Sequence, residues 1–202
     1  MQRRKLLALP AAWLLCADAP GATGGGVVRT RVETDIGAFA IEVDSAVAPR
    51  TVANYLAYVD GKFLDGGSVY RVVTLANQGP EIRYKIEVVQ WGMGLADGRA
   101  SPLPTIAHET TRDSGISHRD GTVSMARSTP GSAASEFFIC IGDQPELDFG
   151  GGRNPDGQGF AAFGRVVAGQ DVVRALHARG QASQYLAPPI GVRTVRRMPP
   201  GA

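Results

Sequence analysis

Across residues 27–33 and again across 38–43, apolar and polar side chains alternate, and Thr34-Asp35-Ile36-Gly37 stands between the two runs. A period of two sends successive side chains to opposite faces of a strand, so this pair predicts a β-hairpin. The period then changes. After Ala48-Pro49, the apolar residues Val52, Tyr55, Leu56 and Val59 recur three and four apart, and Gly61 follows. That spacing predicts an amphipathic helix of about three turns. Strand-like runs return at 69–75, 83–90, 121–126, 136–141 and 160–167, with Gly-, Pro-, Asn- and Asp-rich loops between them, notably 75–81 and 149–159. A second helix is predicted over 170–178, burying Val172, Val173 and Leu176, and a last alternating run covers 192–198.

The expected architecture is therefore mainly β, with about eight short strands and two helices in one domain over residues 27–198. No internal repeat or linker divides it. Many short strands suggest a barrel or a sandwich, and closure would remove the exposed edges on which sheets aggregate. The pattern alone leaves that choice open. The composition, 44% apolar and 20% charged with 26 Gly and 13 Pro, fits a turn-rich globular protein.

The first 22 residues follow a different logic. Arg3, Arg4 and Lys5 precede an apolar run over 6–16, and small residues and Pro come after it. This is the layout of a cleavable secretory signal peptide; the run is far shorter than the roughly 20 residues a membrane-spanning helix needs. A periplasmic or secreted protein is expected. Arg3-Arg4 keeps a twin-arginine route open beside the general one. Cys16 lacks the small preceding residue of a lipoprotein signal.

Removing Arg3, Arg4 and Lys5 from 21 basic residues and Asp18 from 19 acidic ones leaves 18 of each. The slight basicity thus belongs to the leader, and nothing suggests a nucleic-acid surface. Cys140 would be the only remaining cysteine, so no intramolecular disulfide is expected. His108-Glu109 lacks the second histidine of a zinc-protease helix, because Arg112 occupies that position. His118 and His177 have no ligand-spaced partners, so neither metal nor cofactor is expected. Asp143, Asp148 and Asp156 are read as turn-capping residues more readily than as cation ligands. No Gly-x-Ser-x-Gly elbow or phosphate loop is present.

The most specific stretch is 121–140, Gly-Thr-Val-Ser-Met-Ala-Arg-Ser-Thr-Pro-Gly-Ser-Ala-Ala-Ser-Glu-Phe-Phe-Ile-Cys. Three further pieces occur in order around it: Tyr70-Arg71-Val72-Val73, Val89-Gln90-Trp91-Gly92, and Leu147-Asp148 followed by Ala162-Phe163-Gly164-Arg165-Val166. Together they resemble the cyclophilins, over roughly residues 27–180. The resemblance implies a closed eight-stranded antiparallel β-barrel capped by two α-helices, and peptidyl-prolyl cis-trans isomerase activity on proline-containing peptides and on unfolded or folding proteins, with no membrane span and a monomeric state.

The same resemblance implies roles. Arg71 matches the catalytic arginine and Gln90 the glutamine that holds it and contacts the substrate backbone. Phe138 matches the floor of the proline pocket and Leu147 a wall. Ala126 and Arg127 match the edge that pairs with bound peptide, where the Arg127 side chain is read as incidental. The chain also departs from the pattern. About eleven extra residues separate Arg71 from Gln90, so Glu87 or Val88 falls where a pocket phenylalanine usually stands. Glu136 replaces a glutamine, putting a carboxylate near the groove, within reach of Arg71 or of basic peptides. Glu146 replaces a tryptophan, a change that implies weak cyclosporin binding. Phe160 replaces a rim histidine, and the 149–159 loop is long. A rival reading is a binding module of the same fold with little isomerase activity.

Overall fold

The computed structural model describes residues 26–94 and 100–199; the leader expected over 1–22 lies outside them. Eight strands form, β1 Val27–Thr34, β2 Gly37–Asp44, β3 Gly67–Val73, β4 Val88–Gly92, β5 Thr122–Met125, β6 Glu136–Cys140, β7 Ala161–Ala168 and β8 Tyr185–Arg197. All neighbours are antiparallel, and the strands close into a barrel in the order β1-β2-β7-β5-β6-β4-β3-β8. The expected hairpin is there: Val32 faces Phe39 across it, and Thr34 Oγ1 donates to the Gly37 carbonyl at 2.7 Å to close the turn.

Three helices accompany the barrel: α1 Pro49–Asp60, α2 Thr111–Ser114 and α3 Gln170–His177. The single turn of α2 is an addition to the two expected. A Thr110/Asp113 capping box starts it and a left-handed Gly115 ends it, signals too local for a periodicity search to register. The α1 helix begins on Pro49, and its exposed N–H groups are met from 58 residues away. The buried Glu109 carboxylate accepts from the Arg50 and Thr51 amides at 3.1 and 2.7 Å, and from the Thr51 hydroxyl at 2.6 Å. Glu109 is thus a cap, in keeping with its failure to complete a metal motif.

Three strands differ from the expected ones by more than one residue. The run at 83–90 becomes strand only from Val88. The Gln78 side chain accepts from the Ile86 amide and donates to the Ile86 carbonyl, so that backbone is satisfied without a neighbouring strand. The strand expected over 69–75 begins at Gly67 and stops at Val73, where a Thr74/Asn77 capping box turns the chain into a 3-10 helix, Leu75–Asn77. The last strand starts at Tyr185, well before the alternating run at 192–198, because its first half pairs with β3 rather than β1.

The barrel is filled by Phe39, Ile41, Val89, Trp91, Met125, Phe137, Ile139 and Phe163, with α1 supplying Tyr55. Tyr55 meets Phe137 edge to face at 5.3 Å, and its hydroxyl is paired with Thr30 at 2.6 Å. All five residues of β6 are buried. By the period of two, Phe137 and Ile139 enter the barrel, whereas Phe138 and Cys140 face outward into a second apolar cluster with Val73, Ile86, Val88 and Leu147. A strand buried on both faces needs a second layer outside the barrel, and that layer carries the candidate site.

Candidate active site

Strand register alone lines up the central residues. Arg71 on β3 pairs with Gln90 on β4, Gln90 with Phe138 on β6, and Phe138 with Ser124 on β5. Arg71, Gln90 and Phe138, widely separated in sequence, thus form one row across the outer face. In β3 the register shifts between Val69, which opposes Trp91, and Arg71, which opposes Gln90. Tyr70 is the extra residue of a β-bulge, and it leaves Tyr70 and Arg71 adjacent outside the barrel while Val69 and Val72 stay buried.

The guanidinium is fixed by neutral acceptors. Arg71 Nη1 donates to Gln90 Oε1 at 3.0 Å, and Nε and Nη2 donate to Gln184 Oε1 at 3.2 and 2.6 Å. Three of its five N–H donors are spent, and two are left for a ligand. Tyr185 stacks beneath it, with the guanidinium carbon 5.9 Å from the ring centre. Gln90 in turn donates through Nε2 to the Tyr70 hydroxyl at 2.6 Å. Burial, the nearby Glu136 charge and a hydrogen bond to Glu136 raise the Tyr70 pKa well above the ordinary phenol value. Tyr70 therefore stays a neutral donor and links Glu136 to Gln90. That chain links Glu136 to Arg71; the hydrogen bonds to Arg71 itself come from Gln90 and Gln184.

Beside Arg71 lies a cavity of about 220 Å³. Phe138 is its floor, with Leu147, Phe160, Val88 and Ala126 around it and Ile86 completing the apolar lining. Of the two residues Glu87 and Val88, it is Val88 that lines this cavity; Glu87 lies 3.7 Å from His177. Phe138 packs edge to face against Phe160 at 5.3 Å and stacks on His118 at 5.9 Å. His118 is itself held, since its Nδ1 donates to Asp148 at 2.7 Å and its Nε2 pairs with the Ser124 hydroxyl at 2.9 Å. Burial opposes the Asp148 charge, but the hydrogen bonds from the His118 ring and amide prevail and lower its pKa. Ser124 and His118 are buried behind the floor and, with the partly exposed Asp148, buttress it. An adjoining cavity of about 250 Å³ shares Gln90, Ala126 and Arg127 with the first, and it is this second cavity that Glu136 lines.

Arg127 is not incidental. Its side chain is only 1% exposed; it forms a two-pronged pair with Asp156 at 2.8 and 2.9 Å and donates to the Gly159 carbonyl. It also lies 5.2 Å from the Phe160 ring centre. The long 149–159 loop is thereby pinned to the pocket edge. Gly159 permits the closure: it is left-handed, and a Cβ there would fall 2.5 Å from the Asp148 carbonyl group.

The hydrogen bond from Arg127 holds the Asp156 pKa down to about 2. With the folded value below the unfolded one near 3.9, the clamp contributes fully above about pH 4 and is lost as the pH falls through 2. Asp156→Asn should loosen this wall at neutral pH, raising KM about fivefold with little change in kcat, a difference that steady-state kinetics would read.

Sequence reading missed Gln184, Ile86, Arg153 and Asn154. The last two line the cavity from the long loop, and Gln184 lies 113 positions from the arginine it holds. No local pattern marks any of them.

The chain is thus a closed antiparallel barrel with an arginine beside an aromatic pocket on its outer face. The family profile described as cyclophilin type peptidyl-prolyl cis-trans isomerase matches residues 29–196, and the chain belongs to that family. It is 36% identical over 147 residues to the Streptomyces antibioticus peptidyl-prolyl cis-trans isomerase cyp18, covering 72% of this chain and 80% of the relative. It is 31% identical over 174 residues to peptidyl-prolyl cis-trans isomerase A of Dickeya dadantii, covering 85% and 83%. A Cryptosporidium parvum cyclophilin crystal structure superposes with a TM-score of 0.69 at 16% identity, over 86% of this chain and 99% of the other, a likeness of fold.

Proposed function

We propose that this chain accelerates rotation about X-Pro bonds, with Arg71 as the catalytic residue. Amide resonance opposes that rotation with a barrier of roughly 18–20 kcal/mol, and no proton need be transferred to overcome it. As the bond twists, a lone pair localises on the prolyl nitrogen. A guanidinium N–H aimed there forms a bond that the planar ground state lacks, so it lowers the barrier rather than merely tightening binding. The observation that carries this reading is Arg71 anchored by uncharged Gln90 and Gln184, with two donors spare, beside a pocket floored by Phe138.

The pocket does the gripping. At about 0.8 kcal/mol per buried methylene, a prolyl ring gains about 2 kcal/mol there, enough to select proline and far too little to account for rate. Its clients are proline-containing segments of folding proteins, met outside the cytoplasm after the leader over 1–22 is removed, by a protein acting as a monomer. Among the described residues no helix is long and apolar enough to cross a membrane. Cell fractionation that finds an uncleaved cytoplasmic protein would remove the export half. The activity is tested by following cis-to-trans conversion of a short X-Pro peptide with the purified protein. Acceleration is expected; folded protein that binds the peptide without accelerating it would be a binding module.

A further inference from the structure

Two neighbours of the cavity have no part in gripping proline. Arg153 and Asn154 come from the long 149–159 loop and line the same recess as Arg71. Arg153 is steadied through Nη1, which donates to Gln78 Oε1 at 3.2 Å and to the Tyr84 carbonyl at 2.8 Å. Among the described residues its Nε and Nη2 have no acceptor, and no carboxylate lies within ion-pair distance of it. The acid within the loop, Asp156, is held by Arg127, and Glu146, just ahead of the loop, accepts from the Gly152 amide at 2.8 Å. Asn154 Nδ2 is buried and lacks an acceptor among the described residues.

Among the described residues Arg71, too, has only neutral hydrogen-bond partners. Among the described residues, the lining of this recess holds two guanidinium groups and a buried amide N–H and no carboxylate. Burial and the charge of Arg71 both lower the Arg153 pKa, a strain that a bound anion would relieve. Leaving a buried donor unmet costs free energy, and a carboxylate, which only accepts, is the group that suits all three.

We propose that Arg153 and Asn154 form a subsite for the carboxylate of an Asp or Glu next to the proline, making acidic X-Pro or Pro-X segments the preferred substrates. This rests on the isomerase reading above and deepens it.

The test uses the purified full chain and peptides differing only in Glu, Gln or Lys, placed immediately before or immediately after proline, with isomerisation kinetics and equilibrium binding measured on each. In one of the two placements the Glu peptide should bind about tenfold more tightly than the Gln peptide, chiefly as a lower KM. The advantage should shrink as salt is raised. Arg153→Gln should bring the Glu/Gln ratio close to one whatever it does to absolute rates, and Arg153→Lys should recover part of it. Equal Glu and Gln values in both placements, or a preference that survives Arg153→Gln, would overturn the subsite. Tighter binding of the Glu peptide without turnover of any peptide would uphold the subsite while sinking the isomerase reading.

Discussion

Replacing Arg71 with Ala should lower kcat/KM for an X-Pro peptide by about 100- to 1,000-fold, the range seen when one transition-state donor is removed. The loss should fall mainly on kcat, because the pocket that holds the ring is unchanged. Arg71→Lys should recover little. An ammonium keeps the charge, but it cannot bond both Gln90 and Gln184 while presenting a further planar donor to the prolyl nitrogen. Protease-coupled or NMR exchange kinetics on both variants would measure this. A drop of less than about fivefold in Arg71→Ala would mean that the rotation is promoted by something other than this guanidinium.

The second large effect is expected at Phe138, where stability and function meet. The ring is 5% exposed, stacked on His118 and braced by Phe160, in the layer outside the barrel. Truncation to Ala should cost about 3–5 kcal/mol of folding stability, the usual result of removing a buried ring. It should also raise KM sharply, because the floor is gone. Denaturant unfolding and peptide titration on the same preparation would separate the two losses. Phe138→Leu, which stays apolar but loses some volume and the flat face, should recover much of the stability and less of the affinity.

Sequence alone revealed most where side-chain period and burial agree. The hairpin of β1 and β2 follows from alternation, and β6 was recognisable because its aromatic residues suit a strand. Motif resemblance went further and marked Arg71, Gln90, Phe138, Leu147, Ala126, Val88 and Phe160, all of which line one cavity. The residues it missed or misread share a different property: their partners are set by loop paths. Arg127 became a buried clamp only because Asp156 and Gly159 fold back over it. Gln184 reaches Arg71 from just ahead of a strand that begins earlier than alternation suggested. The bulge at Tyr70 is a matter of ladder register, which depends on the neighbouring strand as much as on the bulged one.

That bulge also bears on how such a site could change over evolutionary time. On either side of Tyr70 the two halves of β3 are already matched to consecutive residues of β4. Along the β4 side of the ladder, a chain shortened by this single residue would still send Val69 and Val72 inward. What would be lost is the phenol that steadies Gln90, and with it the fine aim of the guanidinium. Selection therefore has, at one position, a way to retune turnover by indel rather than by substitution.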